Sequence, residues 1–259
     1  MYTPFERDQA YGYRKDSIES RLREGSPVVG ISTTKGILLL TVRRSQRKIY
    51  ELYDRQMFSA IGMQGDIEEV RVGIIQTAHQ EGYERSPDDV TLQRLVGFSL
   101  SRQLKRAYGD LWSGAPLVIR ALFAEIGRTI ERDTFYALNY DGEFRVSQGV
   151  AVIAGTASAE DKMLERIGES NPAWTREEVL QKALSAWIAG AREVLRPQTG
   201  ARDEDENSPF QEREEAEEDN AFLHDELKTG TIEAALLERH TTRETRFRLL
   251  TEKDLAFLR

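Results

Sequence analysis

A block of four strands between residues 28 and 62 constrains the fold of this chain more than any other feature of its sequence. Four apolar runs rich in β-branched residues predict these strands: Val28–Thr34, Gly36–Arg43, Ile49–Tyr53 and Met57–Gly62. Lys35-Gly36 and Asp54-Arg55 mark the turns inside the first and the second pair. Since no helix separates the four runs, neighbouring strands reverse at short turns, and we expect antiparallel sheets.

The remaining elements also come in blocks. Hydrophobic periodicity predicts helices over 6–24, 64–82, 86–108, 158–169 and 176–196. Apolar runs predict further strands over 116–127, 134–140, 149–155, 231–238 and 245–250. Blocks of strands and helices favour an α+β fold over a βαβ fold. The order fits a four-layer αββα sandwich, in which two antiparallel sheets pack face to face, each flanked by a helix pair, with an extra N-terminal helix.

Composition limits the class of protein. A length of 259 residues with 39% hydrophobic content allows a substantial core, and one large domain or two small ones fit this length. The sandwich order of the elements makes a single domain over 1–259 the expectation. The absence of cysteine excludes disulfides and thiolate metal sites. No apolar run approaches the roughly 20 residues of a membrane span, and the N-terminus lacks the apolar core of a signal peptide. We therefore expect a soluble cytoplasmic protein that contacts no membrane.

One segment produces the net charge of −8. Residues 203–219 contain ten acids and one arginine, so the rest of the chain is close to neutral and has no basic footprint for nucleic acid. Pro and Gly residues surround the segment and apolar residues are few, which predicts an acidic, disordered insertion over 197–227. A specific interaction tail is the alternative interpretation.

The sequence offers no pattern for a bound metal or cofactor. His79, His224 and His240 have no metal-like spacing. The chain also contains no Gly-rich phosphate loop. We therefore expect a protein that uses neither a metal nor a cofactor.

Residues 25–62, GSPVVGISTTKGILLLTVRRSQRKIYELYDRQMFSAIG, resemble the opening of a proteasome subunit, and their details resemble the bacterial α class. The likeness continues through the long N-terminal helix, Gly82-Tyr83, the Tyr140-Asp141-Gly142 turn and the final IEAALLERHTTRETRFRLL. It rests on many matches in the right order. The resemblance implies the αββα fold shared by proteasome subunits and the N-terminal-nucleophile hydrolases.

The resemblance also locates three positions that proteasome peptidases use for chemistry. In those enzymes an N-terminal Thr attacks with its own α-amino group as base, helped by a Lys and an acid. The corresponding positions here are Ser26, Lys48 and Val42. Because Val42 carries no charge and Pro27 follows Ser26, the resemblance implies a non-catalytic α-type subunit. The alternatives are a self-processing peptidase that uses Ser26 after cleavage at Gly25, and a small-molecule amidohydrolase of the wider fold.

Lys48 is then expected to serve in docking. In α-subunits similar to this one, the corresponding Lys lies in a pocket between neighbouring subunits and pairs with the C-terminal carboxylate of an ATPase or other activator. Gly62 is expected to shape the same pocket, because a residue without a Cβ permits close backbone approach. A solvent-exposed lysine on a strand edge is the alternative for Lys48.

The N-terminus is expected to act as a gate. Residues 1–9 form a candidate arm in which Tyr2, Pro4 and Phe5 close a pore, although a frayed terminus is equally consistent with the sequence. The apolar residues of the helix over 10–24 lack an obvious partner within one subunit, which suggests ring assembly. The implied complex is a heptameric ring of identical subunits that caps a chamber of β-subunits, admits unfolded protein substrates and receives an ATP-dependent unfoldase.

Overall fold

The computed structural model of this chain describes residues 4–111, 114–196 and 209–258. Its helices are α1 (Pro4–Leu22), α2 (Gln64–Glu84), α3 (Ser101–Gly109), α4 (Ala157–Ile167), α5 (Arg176–Leu195), α6 (Pro209–Glu226) and α7 (Glu252–Leu255). Its strands are β1 (Val28–Thr33), β2 (Gly36–Arg43), β3 (Ile49–Tyr53), β4 (Gln56–Gly62), β5 (Ile119–Glu125), β6 (Thr134–Leu138), β7 (Phe144–Ser147), β8 (Val150–Ile153), β9 (Thr231–Glu238) and β10 (Phe247–Leu249).

Two antiparallel sheets form the inner layers. The first sheet has the strand order β10-β9-β2-β1-β8, and the second has the order β3-β4-β5-β6-β7. One hydrophobic core lies between the sheets. A second core lies between the first sheet and the helices α4 and α5, and a third lies between the second sheet and α2 with the helical stretch that ends in α3. The predicted α+β sandwich with an extra N-terminal helix is therefore confirmed.

Strand β2 shows how the sequence produces this layering. Ile37 and Leu39 belong to the core between the sheets, whereas Leu38 and Leu40 belong to the core under α5. Successive side chains of a strand point to opposite faces, so a strand covered on both faces must be apolar at every position. The continuous apolar run that begins at Gly36 is the sequence signature of this position.

Helix α1 packs on its own subunit more extensively than the sequence suggested. Ile18 and Leu22 are buried in the core between the sheets. Arg14 donates to the main-chain oxygens of Tyr108 and Asp110, both at 2.9 Å, and so satisfies carbonyls at the end of α3. The expectation that the apolar residues of this helix lack a partner within the subunit was wrong. The helix also begins at Pro4, so residues 4–9 are helical.

The acidic insertion is helical where the structure describes it. Residues 209–226, expected to be disordered, form α6, and that expectation was wrong for this stretch. Asp219 holds the helix by ion pairs with Arg166 at 3.2 Å and with Arg192 at 2.5 Å, while Leu223 is buried in the core under α5. Residues 197–208 of the predicted insertion lie outside the described residues.

Two further elements differ from the sequence prediction. The helix expected over 86–108 is split into a short 3-10 turn at Pro87–Asp89, a π-helical segment at Gln93–Leu100 and α3. The short strand β7 was missed because three of its four residues are exposed, so it has no apolar run. Among the helices of the described ranges, none is long and apolar enough to cross a bilayer.

Candidate functional site

A cavity of about 720 Å3 opens where β1 begins, between the β2–β3 connection and the helices α5 and α6. The four positions singled out in this region of the sequence all line it: Ser26, Val42, Lys48 and Gly62. The rest of the wall divides into a charged part and an apolar part. Arginines and two glutamates form the first, namely Arg23, Glu24, Arg44, Arg47 and Glu226, and α5 and α6 supply most of the second, namely Trp187, Ala191, Val194, Leu195 and Phe222.

Lys48 is the central charged group of this cavity. Its Nζ donates to the main-chain oxygen of Ser26 at 2.7 Å. Burial of the ammonium lowers the pKa of Lys48 from 10.5 to about 7, and the negative charge of Glu233 opposes the shift. No carboxylate of the described residues lies within ion-pair distance of Nζ. The expectation of a merely solvent-exposed lysine is not met, since the residue is half-buried.

Glu233 of β9 fixes the backbone that carries Lys48. Its carboxylate accepts from the amide of Ile49 at 2.8 Å and from the amide of Lys48 at 3.1 Å, and it pairs with Nε of Arg43 at 3.2 Å. Burial raises the pKa of Glu233, while these donors lower it. The β2–β3 connection is thereby tied to the first sheet, which sets the position of Lys48.

Ser26 is held in place by its surroundings. Its Oγ accepts from Nε1 of the buried Trp187 at 3.0 Å and lies 3.4 Å from Oγ1 of Thr41. The nitrogen of Ser26 is in peptide linkage with Gly25, so the free α-amino group that an N-terminal nucleophile needs is absent while residues 1–25 remain attached. Those residues include Leu22, which is fully buried in the core between the sheets.

Val42 supplies no proton-transferring group. It is 2% exposed and belongs to the core under α5. The described lining of the cavity therefore brings together the Ser26 and Lys48 positions without a carboxylate at the third position.

Gly62 is required by the sheet. Its φ is +130°, and a Cβ added there would lie 2.0 Å from the carbonyl oxygen of Val118 in the segment before β5. The adjacent amide of Met63 donates to the same oxygen at 2.9 Å. Gly62 thus lines the cavity, but its missing Cβ admits the neighbouring backbone rather than opening space for a ligand.

The structure describes two of the three candidate gate residues. Tyr2 lies outside the described residues, and Pro4 is the first residue of α1. Phe5, one residue later, is 69% exposed. Tyr13, on the same helix, is 74% exposed, so α1 presents large apolar side chains to its surroundings.

Sequence reasoning missed three of the residues that shape the cavity. Trp187 and Phe222 have ring centroids 6.3 Å apart and join α5 to α6 beside the cavity. Nothing in the sequence indicates that these rings meet. Glu233 carried a usable signal, because a single acid inside the apolar run of β9 needs a buried partner.

The arrangement is suited to binding an anion. Lys48 lies beside Arg23, Arg44 and Arg47 in a partly desolvated cavity, where an ion pair is stronger than in bulk water. Within the ranges that the structure describes, no cluster of three or more His, Asp or Glu side chains is arranged to hold a metal ion.

Comparison with known proteins gives one consistent result. The chain is 32% identical over 181 residues to the proteasome subunit alpha of Actinosynnema mirum, which covers 68% of this chain and 67% of that protein. It is 31% identical over 156 residues to the proteasome subunit alpha of Jonesia denitrificans, which covers 60% of this chain and 65% of that protein. The matched region thus spans about two thirds of the length of these curated relatives. No family model matches the chain.

Proposed function

The chain belongs to the family of proteasome α-subunits, and we propose that it is a non-catalytic subunit that assembles into the heptameric outer ring of a bacterial 20S proteasome. In this role the ring caps a chamber of β-subunits, controls the passage of unfolded protein substrates into it, and receives an ATP-dependent unfoldase in the cytoplasm. A ring of this kind needs a heterologous interface that closes.

The environment of Lys48 is the observation that carries the docking part of the proposal. A single main-chain oxygen satisfies its Nζ, so the ammonium keeps donors for an incoming ligand. The arginines of the cavity favour an anion, and α5 and α6 add an apolar wall. The C-terminal carboxylate of an ATPase or other activator fits this combination, with Gly62 keeping β4 close to the strand beside it.

The exposed aromatic residues of α1 support a role in the assembly. Phe5 and Tyr13 are exposed on a helix whose other end is anchored by Ile18 and Leu22. A helix that is fixed at one end and exposes aromatic side chains among charged ones suits contact with a neighbouring subunit. Pro4 and Phe5 lie at the start of this helix, and in the proposed gate they converge near the ring axis together with Tyr2, which precedes them in the sequence.

A self-processing peptidase using Ser26 is the weaker candidate. Cleavage after Gly25 would remove α1, including two side chains of the central core, and Val42 supplies no acid. The loss of buried Ile18 and Leu22 would leave a cavity between the sheets.

Native mass spectrometry of the chain, expressed alone and with its β partner, tests the assembly. We expect seven-fold rings, or multiples of them, built from subunits that retain residues 1–25 apart from the initiator Met. A subunit beginning at Ser26 would overturn the proposal in favour of the peptidase. A full-length monomer in both preparations would overturn the ring.

Peptide binding tests the docking site separately. A fluorescent peptide with the C-terminal sequence of a bacterial proteasomal ATPase should bind the wild type, and the same peptide as its C-terminal amide should bind at least about tenfold more weakly, because a charge-assisted hydrogen bond is lost. Lys48→Met should abolish this difference. Lys182→Met, which changes an exposed lysine of α5 that does not line the cavity, is the matched control. Equal binding of acid and amide by the wild type would exclude carboxylate docking.

A further inference from the structure

A second cavity, of about 350 Å3, lies at the other end of the first sheet, beside the turn between β1 and β2. Leu38 of β2 pairs with Leu236 of β9, which pairs with Arg248 of β10. Side chains at paired positions lie on the same face, so these three form a row across the outer face of the sheet. Trp174 and Val179, at the start of α5, close the cavity from above.

The floor and one wall of this cavity are apolar. Leu38 is 2% exposed, and Val179 is 4% exposed. Trp174 and Leu236 are half-buried and pack against the core under α5. A concave apolar surface with an indole ring on one side is suited to a flat hydrophobic group.

The rim is positively charged. Arg176 and Arg248 line the cavity together with Lys35 and Glu238. Arg176 is paired with Asp254 at 2.6 Å, which lies outside the cavity lining. The Lys35 ammonium has no carboxylate of the described residues within ion-pair distance.

Arg248 is incompletely satisfied. Its Nε is buried and makes no hydrogen bond within the described part of the chain, although Oε1 of Glu238 lies 3.0 Å away. The same glutamate also pairs with Arg243 at 2.9 Å. The Arg248 side chain is 31% exposed, and its Nη atoms make no hydrogen bond within the described part of the chain. These terminal donors, rather than the buried Nε, are therefore available to a ligand beside the apolar wall.

We propose that this cavity binds a small organic carboxylate with a flat apolar body. The carboxylate accepts hydrogen bonds from the Arg248 guanidinium and pairs with the Lys35 ammonium, while the apolar body lies between Trp174 and the row formed by Leu38 and Leu236. The volume of the cavity is within the range of small-molecule sites, which combine an apolar lining with a few convergent polar groups. The site shares no lining residue with the Lys48 cavity, and all of its lining residues belong to one subunit.

Calorimetric titration of the full-length chain with 4-phenylbutyrate, and with its neutral amide, tests this proposal. The acid should bind saturably, and the amide should bind about tenfold more weakly, as expected when a charge-assisted contact is lost. Arg248→Met and Lys35→Met should each weaken binding of the acid and leave that of the amide unchanged. Trp174→Ala should weaken both, and Trp174→Phe, which keeps a ring, should restore most of the binding.

One control variant and two outcomes decide the result. Lys182→Met, which changes an exposed lysine on α5 outside both cavities, should leave the titration unchanged. Equal binding of acid and amide would overturn the carboxylate class. Absence of saturable binding to a wild-type chain that shows native circular dichroism would overturn the site.

Discussion

The two ends of strand β1 differ in whether the charged side chain beside them has an ion-pair partner. At its far end, Arg239 of the segment after β9 pairs with Asp133, which precedes β6, and both side chains are almost fully buried. At its near end, Lys48 contacts the main chain of Ser26 and has no ion-pair partner in the described chain. The comparison shows how one scaffold uses buried charge to fix its sheets in one place and to leave a cation free for a ligand in another.

At the Arg239 end, every donor of the guanidinium makes a hydrogen bond. Nη1 and Nη2 of Arg239 reach the two carboxylate oxygens of Asp133 at 2.9 and 2.6 Å. The remaining donors bond to the main-chain oxygens of Gly127, Thr33 and Thr34 at 2.8, 3.0 and 3.1 Å. Gly127 follows β5 and Asp133 precedes β6, both strands of the second sheet, whereas Thr33 is the last residue of β1 in the first sheet. This cluster therefore holds the two sheets together, and the Arg239 guanidinium has no donor left for a ligand.

Removing one partner at the Arg239 end should have the largest effect. Asp133→Ala leaves a buried guanidinium without its counter-charge, and we expect the free energy of unfolding to fall by about 3–5 kcal/mol. Urea unfolding measures the change. The control is Glu165→Ala, which removes an exposed pair with Lys162 and should cost less than about 1 kcal/mol. A loss as small as that of the control would mean that the cluster does not lock the sheets.

At the Lys48 end, the free energy of unfolding should depend more on backbone geometry than on charge. Gly62→Ala places a Cβ against the carbonyl of Val118 at a positive φ, and we expect a loss on the order of 3 kcal/mol in unfolding free energy. Gly73→Ala in the interior of α2 meets nothing within 4 Å and should stabilise the protein by about 0.5–1 kcal/mol. Thermal unfolding of the two variants should therefore shift in opposite directions. Equal shifts would contradict this account of Gly62.

Glu233 combines features of both ends of β1. It is a buried acid with an arginine partner, and it also orients the backbone of Lys48, whose ammonium has no ion-pair partner in the described chain. Glu233→Gln presents an amide group to two main-chain donors and removes the charge that faces Arg43, so we expect a loss of about 2 kcal/mol in urea unfolding. The matched control is Glu226→Gln, in the same cavity but 3.8 Å from its arginine, and it should change stability much less. Similar losses in the two variants would show that the β2–β3 connection does not need Glu233.

The smallest effect should appear in the pH dependence of docking. The free Lys48 ammonium loses its proton at about pH 7, whereas a bound carboxylate stabilises the protonated form. Peptide affinity should therefore fall as pH rises above 7, by up to about tenfold per pH unit until the pKa in the complex is reached. Lys48→Arg stays charged, so fluorescence titrations of this variant should show a flat profile. A flat wild-type profile would contradict the lowered pKa.

Much of the fold was predictable because it depends on local pattern. The apolar run of β2 and the stripe of α5 indicate burial on their own, and the Thr175–Glu178 capping box at the start of α5 is present as predicted. Helix α6 was not predictable from charge density, although Glu is a good helix former. Its anchors, Asp219 and Leu223, find their partners only after folding.

The site was predictable in position and incompletely predictable in chemistry. The resemblance brought Ser26, Val42, Lys48 and Gly62 into consideration, and the structure places all four around one cavity. It did not indicate that α6 forms part of the wall, or that Gly62 is demanded by the neighbouring strand.

The sequence by itself determined the two antiparallel sheets and their helical covers, because strand and helix periodicities are properties of neighbouring residues. The family was indicated by the resemblance of particular motifs, above all residues 25–62. Only the tertiary structure decided the state of Lys48. The group that orients its backbone is Glu233, 185 residues away along the chain, and the pKa of its ammonium depends on how completely the folded walls exclude water. Desolvation and long-range ion pairing are properties of the packed molecule, so no local pattern encodes them.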